Sequence, residues 1–288
     1  FSGSTGSFSG DLSIADKITH IGDTNTAIRF PAADTFTVET AGSERLRVDS
    51  NGEILIGLTS ARDNLANNAS GVEAQVQIEG TSFTSSTLSI IRNSADENDG
   101  GIIIGKTRAT STGGNDAVIA GDDLGSLTWA GSDGTSLQFG AEIVAEVQSG
   151  VGNDDLPTDL IFKTNGGTTS TTERLRIDSA GRMGLGVSPS DFGSNRTALE
   201  IHSPSATVTH LALTNSTTGS NGASNGFNII QNGNDALLYL RESGFMSFST
   251  NNAEAARITS AGLIGIGTAT PRDSSTLDVD GGGRFNGD

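Results

Sequence analysis

The stretch Glu173-Arg-Leu-Arg-Ile-Asp-Ser-Ala-Gly-Arg-Met-Gly-Leu-Gly186 decides how this chain is read. Apolar and polar residues alternate, the alternation stops at Ser-x-Gly, and then it resumes. That is the pattern of two short strands joined by a tight turn. The stretch has two relatives in the same chain, Glu44-Arg-Leu-Arg-Val-Asp-Ser-Asn-Gly-Glu-Ile-Leu-Ile-Gly57 and Glu254-Ala-Ala-Arg-Ile-Thr-Ser-Ala-Gly-Leu-Ile-Gly-Ile-Gly267. Each follows another strand-like run, at 36–40, 160–164 and 245–250. The repeat predicts a three-stranded meander. In the first copy Leu46 and Val48 share one face, Arg45, Arg47 and Asp49 share the other, and Ile54 and Ile56 point inward. The step from Ser50 to Gly52 supplies a turn whose glycine tolerates positive φ. Gly184 and Gly265 sit between inward residues, where a close backbone leaves no room for a side chain.

The copies start 129 and then 81 residues apart, so the chain lacks the constant period of a simple solenoid. The segments between them are themselves related. Ala74-Gln-Val-Gln-Ile-Glu79, Thr87-Leu-Ser-Ile-Ile-Arg-Asn-Ser94 and Gly100-Gly-Ile-Ile-Ile104 match Ala198-Leu-Glu-Ile-His202, His210-Leu-Ala-Leu-Thr-Asn-Ser216 and Asn225-Gly-Phe-Asn-Ile-Ile230. The predicted organisation follows. Residues 1–58 are an N-terminal strand segment with the first meander, and 59–72 are a linker. Residues 73–158 are a β module with an insertion at about 107–150, and 159–190 are the second meander. Residues 191–243 are a second module, 244–271 the third meander, and 272–288 the start of a further strand segment. The best helical candidate, 60–69, has only two aliphatic anchors and reads as linker.

Composition narrows the function classes. The chain has 288 residues and no Cys, which excludes disulfides, thiolate zinc sites and cysteine nucleophiles. A net charge of −17 opposes phosphate-neutralising binding to nucleic acid and docking on an anionic membrane. No apolar run approaches a spanning helix. The chain starts at Phe1 with no leader pattern and reads as a piece of a longer one. Ser, Thr and Gly supply 107 residues, whereas Leu, Ile, Val and Phe supply 66. That is a thin supply for a globular core. A lone meander buries too few aliphatic side chains to offset its own ordering. Sharing a core among copies would cover its apolar face and its edges.

Local chemistry is sparse. Gly222-Ala-Ser224-Asn-Gly226 has the nucleophile-elbow spacing but no strand before it and no helix after it. His20, His202 and His210 form no metal-ligand motif. The acid clusters 96–99, 122–123 and 153–155 match no calcium loop. For glycan cleavage, Asp122, Asp123, Glu142 and Glu146 are nameable carboxylates, and Trp129 and Tyr239 the large amphipathic rings; Trp129 reads as core. The sequons at Asn68, Asn195 and Asn215 are expected by chance in so Asn/Ser/Thr-rich a chain. The expectation is no catalytic, cofactor or metal residue.

The pattern Glu-Arg-Leu-Arg-Ile-Asp-Ser-x-Gly-x-x-Gly-Ile-Gly, completed by Pro189 and Pro271, resembles tail-fibre-like structural proteins of tailed phages, especially those of marine bacteria. The runs 10–18, 23–32 and 125–135 resemble segments that accompany it there. The third meander departs from the pattern with Ala255, Ala256 and Thr259. The resemblance implies an all-β, elongated, intertwined homotrimeric fibre in which β-meanders separate β-sandwich-like modules. It implies a non-enzymatic virion protein, extracellular when functional, that supports or forms a host-receptor attachment surface. The implied partners are itself, other virion proteins and a host surface glycan or protein. A polysaccharide-depolymerase tailspike and a bacterial surface adhesin are the alternative readings.

Overall fold

A computed structural model describes residues 11–63, 73–191, 193, 196–219 and 225–281. Among the described residues the chain is all-β apart from one 3-10 turn at Phe83–Ser85, and no described helix is long and apolar enough to cross a membrane. It divides into two units, 1–174 and 175–288. Residues 60–63 form no helix, and the rest of the helical candidate lies outside the described residues.

In the first unit, β1 (Lys17–His20), β2 (Asp23–Arg29), β3 (Phe36–Thr40), β4 (Ser43–Val48) and β5 (Ile54–Ile56) pair in chain order, all antiparallel. A sixth strand, β6 (Val76–Ile78), then joins β5 in parallel. β7 (Asp123–Ser132), β8 (Leu137–Val147) and β9 (Thr158–Asn165) form an antiparallel series. β10 (Thr171–Ile177) crosses the unit boundary. In the second unit its end pairs with β11 (Met183–Leu185), and β12 (Leu199–Ile201) joins β11 in parallel. β13 (Val208–Leu213), β14 (Phe227–Asn232) and β15 (Asp235–Leu240) make an antiparallel sheet. β16 (Met246–Thr250), β17 (Ala253–Ile258) and β18 (Ile264–Ile266) repeat the meander, with β19 (Leu277–Val279) parallel to β18. Within each unit, strands touch extensively only their hydrogen-bonded neighbours.

The turn after the repeat's second strand recurs atom for atom. Asp49 Oδ1 accepts from Asn51 N (2.9 Å) and Glu53 N (3.1 Å), and Asp178 Oδ1 accepts from Ala180 N (3.0 Å) and Arg182 N (2.8 Å). The departure Thr259 keeps half of this, since its hydroxyl accepts from Leu263 N (3.1 Å). The glycines of the turn, Gly52, Gly181 and Gly262, have φ of 84°, 77° and 79°, as Ser-x-Gly requires.

A β-bulge explains the other two departures. Val38 opposes Leu46 but Glu39 opposes Glu44, so β4 carries one extra residue, Arg45. In β17 the extra residue is Ala255, at the same place. The bulge brings positions three apart onto one face. Arg47 therefore meets Glu44 in two hydrogen bonds of 2.8 Å, and Arg257 meets Glu254 at 2.6 and 2.7 Å. Arg45, pushed outward, reaches only the Thr40 hydroxyl, so alanine can replace it. Ala256 opposes Phe248 where Leu46 opposes Val38, a small-with-large exchange across the pair.

Within one chain, the covered face is not that of the expected inward isoleucines. Leu55 is fully buried, whereas Ile54 and Ile56 are exposed. The chain's own loop covers the face of Leu55, Arg47 and Thr37, and among the described residues of this unit no loop covers the isoleucines. Gly184 and Gly265 stand at the Leu55 position. A Cβ on Gly184 would strike Val187 O and come within 3.0 Å of Pro189, and one on Gly265 would lie 2.5 Å from Thr268 O. The close backbone expected at these glycines belongs to the loop that follows them.

Candidate functional site

Each meander holds its loop with the same latch. On β6 Gln77 lies opposite Leu55, on β12 Glu200 opposite Gly184, and on β19 Asp278 opposite Gly265. Each of these polar side chains accepts a loop N–H: Arg62 N to Gln77 Oε1 (2.9 Å), Ser190 N to Glu200 Oε2 (2.7 Å) and Arg272 N to Asp278 Oδ2 (3.0 Å). Arg272 also grips the Asp278 carboxylate at 2.7 and 3.1 Å and holds its pKa below the usual aspartate range. Arg62 instead pairs with Glu79, at 2.5 and 2.9 Å. A polar residue in the middle of a three-residue strand thus ties down the loop that shields the charged face. The alternation of 74–79 is visible in the sequence, but a parallel partner more than twenty residues away is not.

The opposite face is a set of aligned apolar rows. Ile18, Ile28, Val38, Leu46, Ile56 and Ile78 are mutual neighbours across six strands, and Phe36, Val48, Ile54 and Val76 form a second row. In the third meander the rows are Met246, Ile258, Ile264 and Leu277, then Phe248, Ala256, Ile266 and Val279. The second meander aligns Leu175, Leu185 and Ile201. These rows are uncovered within their units, and most of their large members are exposed.

The residues considered for chemistry are dispersed except for Asp123 and Glu146, which face each other across two strands. Asp122 is buried and clamped by Lys106 (2.6 Å), by Arg108 (2.7 and 2.9 Å) and by Ile119 N (3.0 Å). Arg108 above all drives its pKa far below the ordinary value, so it holds no proton to donate near neutral pH. Its role here is to pin residues 106–122. Asp123 lies opposite Glu146 across β7 and β8, and Glu142 accepts from the Thr171 hydroxyl. Asp96 caps its own turn, its pKa lowered to about 2 by Arg92, Ser94 and Asn98 N. Trp129, expected in a core, is 54% exposed on β7. Tyr239 lies under Arg241, whose guanidinium carbon is 4.7 Å from the ring centre.

His20 ends β1, His202 follows β12, and His210 lines an apolar hollow of about 560 Å³ with Leu199, Leu211 and Ile229. Among the described residues no three His, Asp or Glu side chains gather as metal ligands. Ser224, Asn68 and Asn195 lie outside the described residues. Two features had no signal in the alternation pattern: the Asp122 clamp and the burial of Glu53.

No family model and no curated protein matches the sequence. Among solved structures, the chain is similar to the carboxy-terminal domain of the bacteriophage T5 L-shaped tail fibre. The likeness has a TM-score of 0.43 at 14% identity and covers 61% of this chain and 75% of that one. A structure of that domain with its intra-molecular chaperone domain gives a TM-score of 0.36 at 14% identity, covering 61% of this chain and 52% of that one.

Proposed function

We propose that this chain is a non-enzymatic segment of a phage fibre, a virion structural protein that associates with itself as a homotrimer. One observation carries the self-association. Every meander shields its charged face with its own latched loop and leaves in-register aliphatic rows bare on the other. A sheet that spends its loop on the polar side must find cover for its apolar side elsewhere. Copies of the same sheet offer matching rows, and closed symmetry lets each row cover another. The tail-fibre resemblance of the repeat supplies the setting: a fibre on the virion, extracellular in use. It contacts other virion proteins and supports or forms the surface that meets a host glycan or protein. Light scattering on the purified chain tests this. The expected mass is three times 29.4 kDa, and a folded monomer overturns the proposal.

A further inference from the structure

We propose that residues 88–104 are a strand-pairing segment whose partner is a second copy of this chain, an inference that rests on the self-association above. The internal repeat sets the expectation. Leu88, Ile90, Ile102 and Ile104 correspond to Leu211, Leu213, Phe227 and Ile229. In the second module Leu211 pairs with Ile229 and Leu213 with Phe227, as β13 and β14. Carried over, that register sets Leu88 opposite Ile104, Ile90 opposite Ile102 and Arg92 opposite Gly100.

The first module holds the parts of this hairpin without its bonds. Its turn is built: Arg92 pairs with Asp96 at 2.6 Å, and Asp96 accepts from Asn98 N at 3.0 Å. Gly100 lies beside Arg92, since a Cβ there would sit 3.7 Å from Arg92 N and from Ile90 Cγ2. Yet residues 88–104 form no strand, and among the described residues their backbone makes no backbone hydrogen bond. A hollow of about 290 Å³, lined by Leu88, Ile90 and Ile102, separates the arms.

The partner's chemistry follows from the side chains. The unbroken run Ile102-Ile103-Ile104 lacks the alternation of a half-exposed strand and reads as one covered on both faces. One face has a single contact, Ile104 against Gly125 on β7, although Leu88, Ile90, Ile102 and Ile104 all stay exposed. The other has none: Ile103 is 99% exposed and Ile91 is exposed. An extended segment with free N–H and C=O groups and bare aliphatics takes an added strand. In the second module each arm pairs with the other arm of the same repeat, and each further copy carries both arms.

Three measurements on the whole chain decide the matter: its mass by light scattering, hydrogen exchange of residues 88–104, and the mass of Ile103→Asp. The expected results are an assembled chain, exchange in both arms slowed by at least ~10-fold relative to unpaired backbone, and a variant that falls to 29.4 kDa. In a lone chain that substitution meets only water. An assembled wild type overturns this inference alone if either the arms exchange freely or Ile103→Asp stays assembled. In that case the fibre reading stands and other surfaces hold the copies. A monomeric wild type overturns both.

Discussion

Glu53 occupies the position that Arg182 holds in the second meander and Leu263 in the third. Arg182 binds Asp178 at 2.7 Å, whereas Glu53 brings a second acid to Asp49. Glu53 is 5% exposed, and its Oε2 has no donor. Burial above all, then the nearby Glu73 and Asp49 carboxyls, raises its pKa from 4.5 to about 7; Arg47 is the cation that acts on Asp49. Between those two pH values the folded chain holds a proton that the unfolded chain releases. Stability from this group is therefore full below 4.5 and lost as pH rises through about 7. At fixed protein concentration, Glu53→Gln should raise the melting temperature at pH 8 and leave it nearly unchanged at pH 4. A variant that melts below wild type at pH 8 would contradict this. Gln77 offers a neutral test of the latch. Gln77→Ala leaves the Arg62 N–H without its acceptor and should cost ~1–2 kcal/mol in urea unfolding.

At the scale of elements, the strand-turn-strand unit is legible because its turn needs Gly at one place and a short acceptor five residues before the closing strand. The bulge is not legible, since Glu-x-x-Arg carries no mark of an extra residue. The parallel fourth strand is hidden too: it has three residues, a polar centre and a distant partner. The glycine that ends each short strand does carry a signal. Gly186 has φ of 78°, and a Cβ there would strike His202 O just past the end of β12. Gly186→Ala should cost at least ~2 kcal/mol through strain and displacement of β12. Gly181→Ala, with the same sign of φ but open space, should cost only ~1 kcal/mol. Equal losses in chemical denaturation would show that the close approach to β12 is not important.

For the whole molecule, charge and apolar surface pull against each other. Each copy carries −17, so association gathers like charge. Screening extends over about 30 Å at 0.01 M salt and about 10 Å at 0.1 M. Dissociation on dilution should therefore be easier in 0.01 M salt than in 0.15 M, as read by light scattering across a concentration series. The reverse trend would mean that ion pairs between copies, rather than the aliphatic rows, hold the assembly.

The sequence by itself determined an all-β chain, three recurring turn units and a shortage of core, because alternation, Ser-x-Gly and composition are local properties. It determined that one face of each meander is apolar, because period-two patterning assigns residues to faces. Only the tertiary structure decided which face the chain covers. That depends on where the loop after each short strand is tied, and Gln77, Glu200 and Asp278 tie it over the charged side. The expected inward isoleucines are left bare for the same reason: hydrogen-bonded latches set the loop's course, and burial follows the loop rather than the residue type.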